Sequence, residues 1–546
     1  MSYNRPAAPP PAYQNQNDPQ YQQQQGPYDN QEQNGWTQQQ QQQQQQSNDD
    51  PEKGSWGNDN MGSGKPESDA QSFDDAFKVE KPRFNDWPFA VFFYLVVFGF
   101  LAVAVITIRA YHLTHSSQGG GIYNNNTGDS LNTNTIIMFM FAIAIAVVLA
   151  TMVIAFAKLW PRKFITIGLI CNVIFGLGTA IAYLVMKYWS AGIVFLVFTC
   201  LCAWCYWTCR HRIPFSGAVL SIVIDVMKDH PSVLLVSLLG VVISGAFSVF
   251  FAFVVTSTYV KFDDTSSNPG CSVSGGSCSQ STLIGVLVFV FFAGYYITEV
   301  IRNVIHTTIS GVYGVWYYLS KSDQGEPKNA AWGAFKRAMT YSFGSICEGS
   351  LIVAIISLIR QGINILRQNA LANNEMCQAF LLCFLDMVVM VLEWLVRWFN
   401  HYAYSYIALY GTNYTSASKD VYELFRYKGF DAMINDCLIN TALSFYSVFI
   451  AYVTALFVFL YLRLTKPSYN DSGSFYGPLV AFGFLIAGQI ANVSTTVITS
   501  GTSTFFIALA RDPEVFRLSY PEQFEEIFRT YPQVLEKLNL PHSNGN

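Results

Sequence analysis

The sequence has 546 residues, of which 51% are hydrophobic and only 12% are charged, and its formal net charge at pH 7 is −4. A soluble globular protein carries roughly twice that charged fraction, so the composition excludes this class and indicates a multispanning protein of the lipid bilayer. The small net charge gives no basis for nucleic-acid binding. We predict an all-α, polytopic membrane protein with about ten transmembrane helices and a disordered N-terminal tail.

Residues 1–86 are predicted to form the disordered cytoplasmic tail, because they are rich in Gln, Asn and Pro and nearly lack aliphatic residues. Within this tail, Pro10, Pro11 and Tyr13 fit the Pro-Pro-x-Tyr pattern, which WW domains bind as polyproline II. A WW-domain ubiquitin ligase is therefore an expected partner, and a chance match in a proline-rich tail is the alternative. Slower removal of a Tyr13→Ala variant from the cell surface would favour the ligase.

Ten apolar segments follow the tail, and we predict that each one spans the membrane. They lie at about 87–108, 136–157, 164–186, 190–209, 233–255, 283–319, from 341, 380–410, 438–462 and 482–509. The stretch 360–401 also suits one crossing plus an interfacial helix, because it mixes apolar runs with charged residues. The predicted domains after the tail are a ten-helix transmembrane domain at 87–510 and a cytoplasmic tail at 511–546.

Basic residues give the predicted orientation. Lys158, Arg162 and Lys163 crowd the loop after the second segment, and the positive-inside rule assigns that loop to the cytoplasm. Both termini are then cytoplasmic, and the first spanning helix is expected to direct insertion, since the polar N-terminus offers no apolar signal segment.

The predicted external loops carry two kinds of modification signal. Asn125 and Asn470 each begin an N-glycosylation pattern on the external side. Cys271 and Cys278 lie in a Gly- and Ser-rich external loop, where an oxidising compartment favours a disulfide between them.

The sixth segment, 283–319, carries the candidate site. As one helix it would be about 55 Å long, so it must project from a hydrocarbon core of about 30 Å or break, and Gly311 and Gly314 are the expected break points. At 3.6 residues per turn, its polar residues share one face. They are Tyr295, Thr298, Glu299, Arg302, His306, Ser310, Tyr313 and Tyr317.

Ionisable side chains are costly against lipid, so we expect this face to line a functional interior. His306, near a carboxylate, is expected to titrate in the physiological range. The alternative is a structural Glu299–Arg302 pair that ties helices together and touches no substrate. Later in the chain, Glu393, Arg397 and His401 follow one another at four-residue steps and are expected to face the same interior.

Two runs of the sequence are distinctive. The first extends from Gly344-Ser345 to Leu351-Ile352, and the second, at 400–413, has the pattern Asn-x-x-Ala-Tyr-x-x-Ile-Ala-x-Tyr-Gly-Thr-x. In both runs the chain resembles the choline-transporter-like family, and within it the fungal pH-nine-sensitive branch. The resemblance covers roughly 85–515 and implies ten spans, cytoplasmic termini and organic-cation transport at the plasma membrane. The short first external loop and the Gln-rich tail depart from the family's animal members, which leaves the substrate open.

A quaternary ammonium such as choline donates no hydrogen bond from its nitrogen, so proteins hold it with aromatic faces and diffuse negative charge. The predicted substrate-binding residues supply both, with Glu348 in a small-residue context that permits close helix approach. They are Tyr295, Glu299, Arg302, His306, Tyr313, Trp316, Glu348, Tyr404 and Tyr410.

The sequence contains no ATP-binding or hydrolase motif, such as His-Glu-x-x-His. We therefore predict a secondary transporter or facilitator that is not an enzyme and needs no cofactor or metal. The alternative function is a non-transporting membrane scaffold or sorting protein.

We predict that any glycan is attached only at Asn125 and Asn470. The other two matches, Asn413 and Asn492, lie on the predicted cytoplasmic side and within the membrane, where no glycan can be attached. Mapping glycopeptides by mass spectrometry checks this, and a glycan at Asn413 would contradict the ten-span count.

Overall fold

The structure, a computed structural model, describes residues 83–114, 133–262, 279–322, 325–373, 375–428, 431–465 and 476–530. Over these ranges the chain is helical and contains no strand, as the predicted fold class requires. The tail up to residue 82, both external glycosylation patterns, and the Cys271 and Cys278 pair lie outside the described residues, so the predictions made for them stand as predictions.

The helices are numbered here in chain order. The first group is α1 (Trp87–Thr114), α2 (Thr133–Leu159), α3 (Pro161–Val185), α4 (Trp189–Cys209), α5 (Ile213–Asp229), α6 (Ser232–Phe262) and α7 (Gln280–Leu319). The second group is α8 (Ala330–Met339), α9 (Phe343–Ala372), α10 (Met376–Tyr410), α11 (Tyr414–Lys428), α12 (Asp431–Thr465), α13 (Tyr476–Arg511), α14 (Pro513–Ser519) and α15 (Pro521–Thr530). A short 3₁₀ turn, Arg210–Arg212, joins α4 to α5.

Ten segments of the described chain are long and apolar enough to cross a membrane, which confirms the predicted number. For the stretch 360–401 the sequence left two layouts possible. In the structure it belongs to two long helices, since α9 continues to Ala372 and α10 begins at Met376. This pair has the length of two crossings, as we favoured, rather than of one crossing and an interfacial helix. Large apolar side chains such as Phe198 and Trp204 are exposed on the outside of the bundle, where lipid would cover them.

The central helix, α7, is one unbroken helix of 40 residues. The expected break at Gly311 and Gly314 is wrong: both glycines are buried inside the helix. At 1.5 Å per residue α7 is about 60 Å long, so it projects beyond a hydrocarbon core instead of breaking. It contacts α6, α8, α9, α10 and α13, and its stretch from Asn303 to Tyr317 is almost completely buried. This buried stretch has no face left for lipid, whereas the first turns of α7 are exposed at Ile284 and Val288.

The chain that enters α1 is fastened to other helices by Asp86. Its Oδ2 accepts a hydrogen bond from the Ser345 hydroxyl at 2.6 Å and another from the Tyr414 backbone N–H at 2.9 Å. Ser345 lies in the first turn of α9 and Tyr414 begins α11. A carboxylate at the start of two helices also meets the positive ends of their dipoles. Asp86 therefore holds the starts of α1, α9 and α11 together.

Asn85 fastens the same entry to α10. Its backbone N–H donates to the Tyr341 carbonyl at 3.1 Å, and its Nδ2 donates to the Gly411 carbonyl at 2.7 Å. Gly411 ends α10 in the left-handed conformation, with φ of 66°, which a glycine adopts at little cost. Ser345 and Gly411 belong to the two distinctive runs of the sequence, so both runs contribute to this junction.

Gly344 belongs to the first run, and its role follows from the same junction. A Cβ at this position would lie 2.3 Å from the backbone oxygens of both Asn85 and Asp86. Backbone atoms cannot rotate away as a side chain can, so only glycine allows α9 to approach the entry to α1 this closely.

We predict that Gly344→Ala lowers stability by about 1–3 kcal/mol, because the added methyl group forces α9 away from the entry to α1. Gly362→Ala is the matched control, since Gly362 lies on the same helix with open space around it. The control should be neutral or gain up to about 1 kcal/mol from helix propensity. Thermal melting of the purified variants in detergent checks this, and equal melting temperatures would contradict the junction.

Candidate functional site

Seven ionisable residues from α7, α9 and α10 form one alternating series of ion pairs, called here the ionic chain. In order they are Arg302, Glu299, Arg397, Glu393, Arg360, Asp386 and Arg367. Each carboxylate of the series contacts two arginines. Because buried charges in a membrane are stable only when paired, this arrangement satisfies every carboxylate with few residues.

Glu299 is the junction between α7 and α10. Its side chain is only 7% exposed, and both of its oxygens are used. Arg302 Nη2 donates to Oε2 at 2.6 Å, and Arg397 Nη1 donates to Oε1. The predicted Glu299–Arg302 pair is therefore present, but it is part of a larger series that joins two helices.

Glu393 joins α10 to α9 in the same way. Arg397 Nη2 donates to its Oε1 at 2.7 Å, and Arg360 Nη1 donates to its Oε2 at 3.2 Å. The Ser357 hydroxyl adds a hydrogen bond to Oε1 at 2.9 Å. We expected Glu393 and Arg397 to face the same interior of the protein as the polar face of α7, and these contacts agree with that expectation.

The outer part of the ionic chain holds the hairpin of α9 and α10 together. Arg360 Nε donates to Asp386 Oδ1 at 3.1 Å, and Arg367 Nη1 donates to Asp386 Oδ2 at 3.4 Å. With four arginines and three carboxylates, the ionic chain carries one excess positive charge. In this arrangement it does not by itself attract a cation.

Arg302 is the more exposed end of the ionic chain, with 52% of its side chain accessible. The next residue of α7, Asn303, is already buried. An arginine so exposed within a spanning helix is costly against acyl chains. We therefore expect Arg302 to face a water-filled vestibule.

His306 lies one turn beyond Arg302 and is buried. Its Nε2 lies 2.8 Å from the His401 carbonyl, which can only accept, so Nε2 carries the proton. Its Nδ1, 2.8 Å from the Ser500 hydroxyl, then accepts. These contacts suit a neutral ring. We expected His306 to titrate in the physiological range because of a neighbouring carboxylate. Glu299 is not among the hydrogen-bond partners of His306, so that contact is not present.

His401 stacks on His306 with ring centroids 3.8 Å apart. We expected His401 to face the same interior of the protein as the polar face of α7, and this contact agrees with that expectation. Beyond the two rings, buried hydroxyl groups continue the polar face between α7, α10 and α13. Ser405 lies at their centre, with its hydroxyl 2.9 Å from that of Ser503 and 3.4 Å from that of Ser310.

A second polar group closes the far ends of α7, α10 and α13, at the predicted cytoplasmic side. We call it the tyrosine cluster, and its members are Tyr318, Tyr406, Tyr410, Arg511 and Asp512. The hydroxyls of Tyr318 and Tyr410 lie 2.8 Å apart, and both donate to Asp512 Oδ2, at 2.5 and 3.1 Å. Arg511 lies over the rings of Tyr406 and Tyr410.

The predicted site residues therefore lie in different parts of one polar face. Tyr295 is close enough to Glu393 and Arg360 to interact with both electrostatically, and it joins Glu299, Arg302 and His306 in the middle of α7. Tyr410 lies in the tyrosine cluster, at the end of α10.

The other four predicted residues each have local partners. Tyr313 donates to the Val223 carbonyl at 2.9 Å, and Tyr404 donates to the Ile346 carbonyl at 3.2 Å. Trp316 stacks on Tyr520 of the C-terminal region with centroids 5.1 Å apart. Glu348 lies beside Asp86 at the entry to α1. The structure does not bring Tyr313, Trp316 and Glu348 together with Glu299. Tyr404, in contrast, is close enough to Glu299 and Arg302 to interact with both electrostatically, and its ring centroid lies 6.5 Å from that of His306.

A small cavity of about 20 Å³ lies elsewhere, between α2, α3, α12 and α13. Its lining includes Tyr446, Ser447 and Thr495. Its volume suits about one water molecule and is far too small for an organic cation. This cavity is therefore separate from the ionic chain and gives no substrate site.

Comparison with known proteins identifies the family. A family model described as "Plasma-membrane choline transporter" matches residues 193–514. Protein PNS1 of Debaryomyces hansenii is 57% identical, covering 87% of this chain and 92% of that protein. The chain belongs to the choline transporter-like family. Protein PNS1 of Candida albicans is 56% identical over 87% of this chain and 91% of that protein. Protein PNS1 of Saccharomyces cerevisiae is 53% identical over 87% of this chain and 88% of that protein.

Membership of the choline transporter-like family makes this chain a multi-pass, transporter-like membrane protein and confirms the resemblance predicted from the two runs. The family model covers all of α7, α9, α10 and α13. It therefore covers every residue of the ionic chain and of the tyrosine cluster.

Several residues of the site were not among those predicted from the sequence. Arg360 and Arg367 are seven residues apart on α9, and Asp386 lies seven residues before the already predicted Glu393 on α10. A seven-residue spacing puts two side chains on one helix face, so this signal was available. Arg511 and Asp512 had no such signal, because the predicted C-terminal tail began at residue 511.

We predict that Glu299→Gln lowers stability by about 3–5 kcal/mol, because it leaves Arg302 and Arg397 without their shared carboxylate. Combining it with Arg397→Gln should recover most of the loss, since the pair of changes restores the original net charge of the ionic chain. Glu514→Gln, which breaks an exposed pair with Arg517 on α14, is the control and should melt as the wild type. A Glu299→Gln variant that melts normally would contradict the importance of the ionic chain for folding.

Proposed function

We propose that this protein is a plasma-membrane secondary transporter or facilitator of a choline-like organic cation, with both termini in the cytoplasm. The observation that carries this proposal is the continuous polar face of α7, which runs from the ionic chain past His306 to the tyrosine cluster. Packing alone does not require such groups, since replacing buried ion pairs by apolar residues is often neutral or stabilising. Ionisable residues inside a membrane usually belong to a substrate or ion path.

The substrate class comes from the family. The matching family model is described as a plasma-membrane choline transporter, and we extend that description to this chain as part of the proposal. The aromatic residues of the polar face suit the same substrate, because a quaternary ammonium binds to aromatic faces and needs no hydrogen-bond acceptor.

The roles of individual residues follow from the pairing. Both oxygens of Glu299 are bound by arginines, so a cation reaches this carboxylate only after Arg302 or Arg397 moves away. We therefore propose that substrate binding and the opening of one ion pair accompany each other. A state with that pair open binds the cation better than the paired state does, which is the condition for substrate to shift a conformational equilibrium.

One observation favours the alternative, a non-transporting scaffold or sorting protein. Every carboxylate of the ionic chain is already paired, as a purely structural network requires. A scaffold would bind partners through its termini and would move no solute across a membrane.

Uptake by the purified protein in liposomes tests the proposal. We expect saturable uptake of radiolabelled choline, or of another amine in a panel of lipid head-group precursors, above that of protein-free liposomes. The Glu514→Gln variant should take up substrate at the wild-type rate, because its ion pair lies outside the polar face. If well-folded protein takes up no member of the panel, the scaffold function is the better account.

A further inference from the structure

We propose that the tyrosine cluster is a binding site for a quaternary ammonium group, and that Arg511 occupies it in this structure as an internal stand-in. The inference rests on the proposed function and adds to it a second substrate site, at the predicted cytoplasmic end of the polar face. The site consists of the rings of Tyr406 and Tyr410 and the carboxylate of Asp512.

The two rings already hold a cation. The Arg511 Cζ lies 4.6 Å from the ring centroid of Tyr410 and 5.3 Å from that of Tyr406. The two ring centroids are 4.5 Å apart, with their planes inclined by 50°. Contacts of this length place the guanidinium within the range of cation–π attraction to both rings at once.

A carboxylate supplies the negative charge next to the rings. Asp512 Oδ2 accepts hydrogen bonds from Tyr318 and Tyr410, and the Asp512 backbone carbonyl accepts one from the Tyr317 hydroxyl at 3.0 Å. Three hydroxyls thus hold Asp512 in position. Aromatic faces beside a fixed carboxylate are what a quaternary ammonium requires, because it cannot donate hydrogen bonds.

Arg511 itself is held in a way that allows it to leave. It donates a hydrogen bond to the Tyr406 hydroxyl, but no carboxylate of the described chain lies within ion-pair distance of it. Its attraction to Asp512 and to Asp420 of α11 acts through space. Arg511 is also the last residue of α13, so its long side chain can swing aside without moving the helix. A substrate ammonium would take its place against the two rings.

The position of the tyrosine cluster fits an inner site on the transport path. Tyr318, Tyr410 and Arg511 are at or next to the ends of α7, α10 and α13, the same three helices whose hydroxyls lie beyond His306. A cation moving along this face meets the tyrosine cluster last.

Removing the stand-in tests the inference. In the full-length protein in nanodiscs, Arg511→Gln should bind tetramethylammonium about tenfold more tightly than the wild type, because no internal cation competes. Adding Tyr410→Leu should abolish that gain. Arg517→Gln, which removes an arginine from an exposed ion pair, is the control and should bind as the wild type.

A second measurement uses the unchanged protein, in case Arg511→Gln does not fold. Tetramethylammonium should make Arg511 more reactive toward phenylglyoxal, read by mass spectrometry of its peptide, while the reactivity of Arg517 stays constant. Unchanged or reduced modification of Arg511 overturns the inference, as does unchanged affinity of a folded Arg511→Gln variant. If the wild type takes up choline and these results are negative, only the inner site fails. If no variant binds or takes up any amine, the proposed function fails as well.

Discussion

The sharing of the Glu299 carboxylate between Arg302 and Arg397 is the interaction on which the inner part of this structure depends. A carboxylate that is 7% exposed in a membrane-spanning helix is stable only if cations approach it, and here they approach from two helices. Because Arg397 also binds Glu393, and Glu393 binds Arg360, the pairing of one residue fixes the relative positions of α7, α10 and α9. The same constraint keeps the polar face of α7 turned toward α10 and α13 and away from lipid.

The sequence was sufficient for the features that depend on local pattern. Apolar length gave the ten segments, and the 3.6-residue period put Glu299, Arg302 and His306 on one face of α7. The four-residue steps of Glu393, Arg397 and His401 indicated the matching face of α10. The expected break in α7 at Gly311 and Gly314 was wrong because a buried helix can contain glycines without bending, and a helix that is too long for the bilayer can project from it instead.

The contacts between distant parts of the chain could not be predicted from one sequence. Nothing local indicates that Asp86 binds Ser345 and Tyr414, or that Asp512 meets Tyr318 and Tyr410. Aromatic residues were ambiguous for another reason: the hydroxyls of Tyr313 and Tyr404 bind backbone carbonyls, and a tyrosine with that role has the same sequence pattern as one that holds a ligand.

The central claim is that the ionic chain belongs to the transport path and is more than a fastening between helices. Uptake of radiolabelled choline per folded molecule, by liposomes that contain the Glu299→Gln, Arg397→Gln double variant, tests it most directly. This variant keeps the net charge of the ionic chain and most of its stability but lacks the carboxylate that a cation would bind. The account predicts a folded protein that takes up no choline, and uptake at the wild-type rate would contradict it.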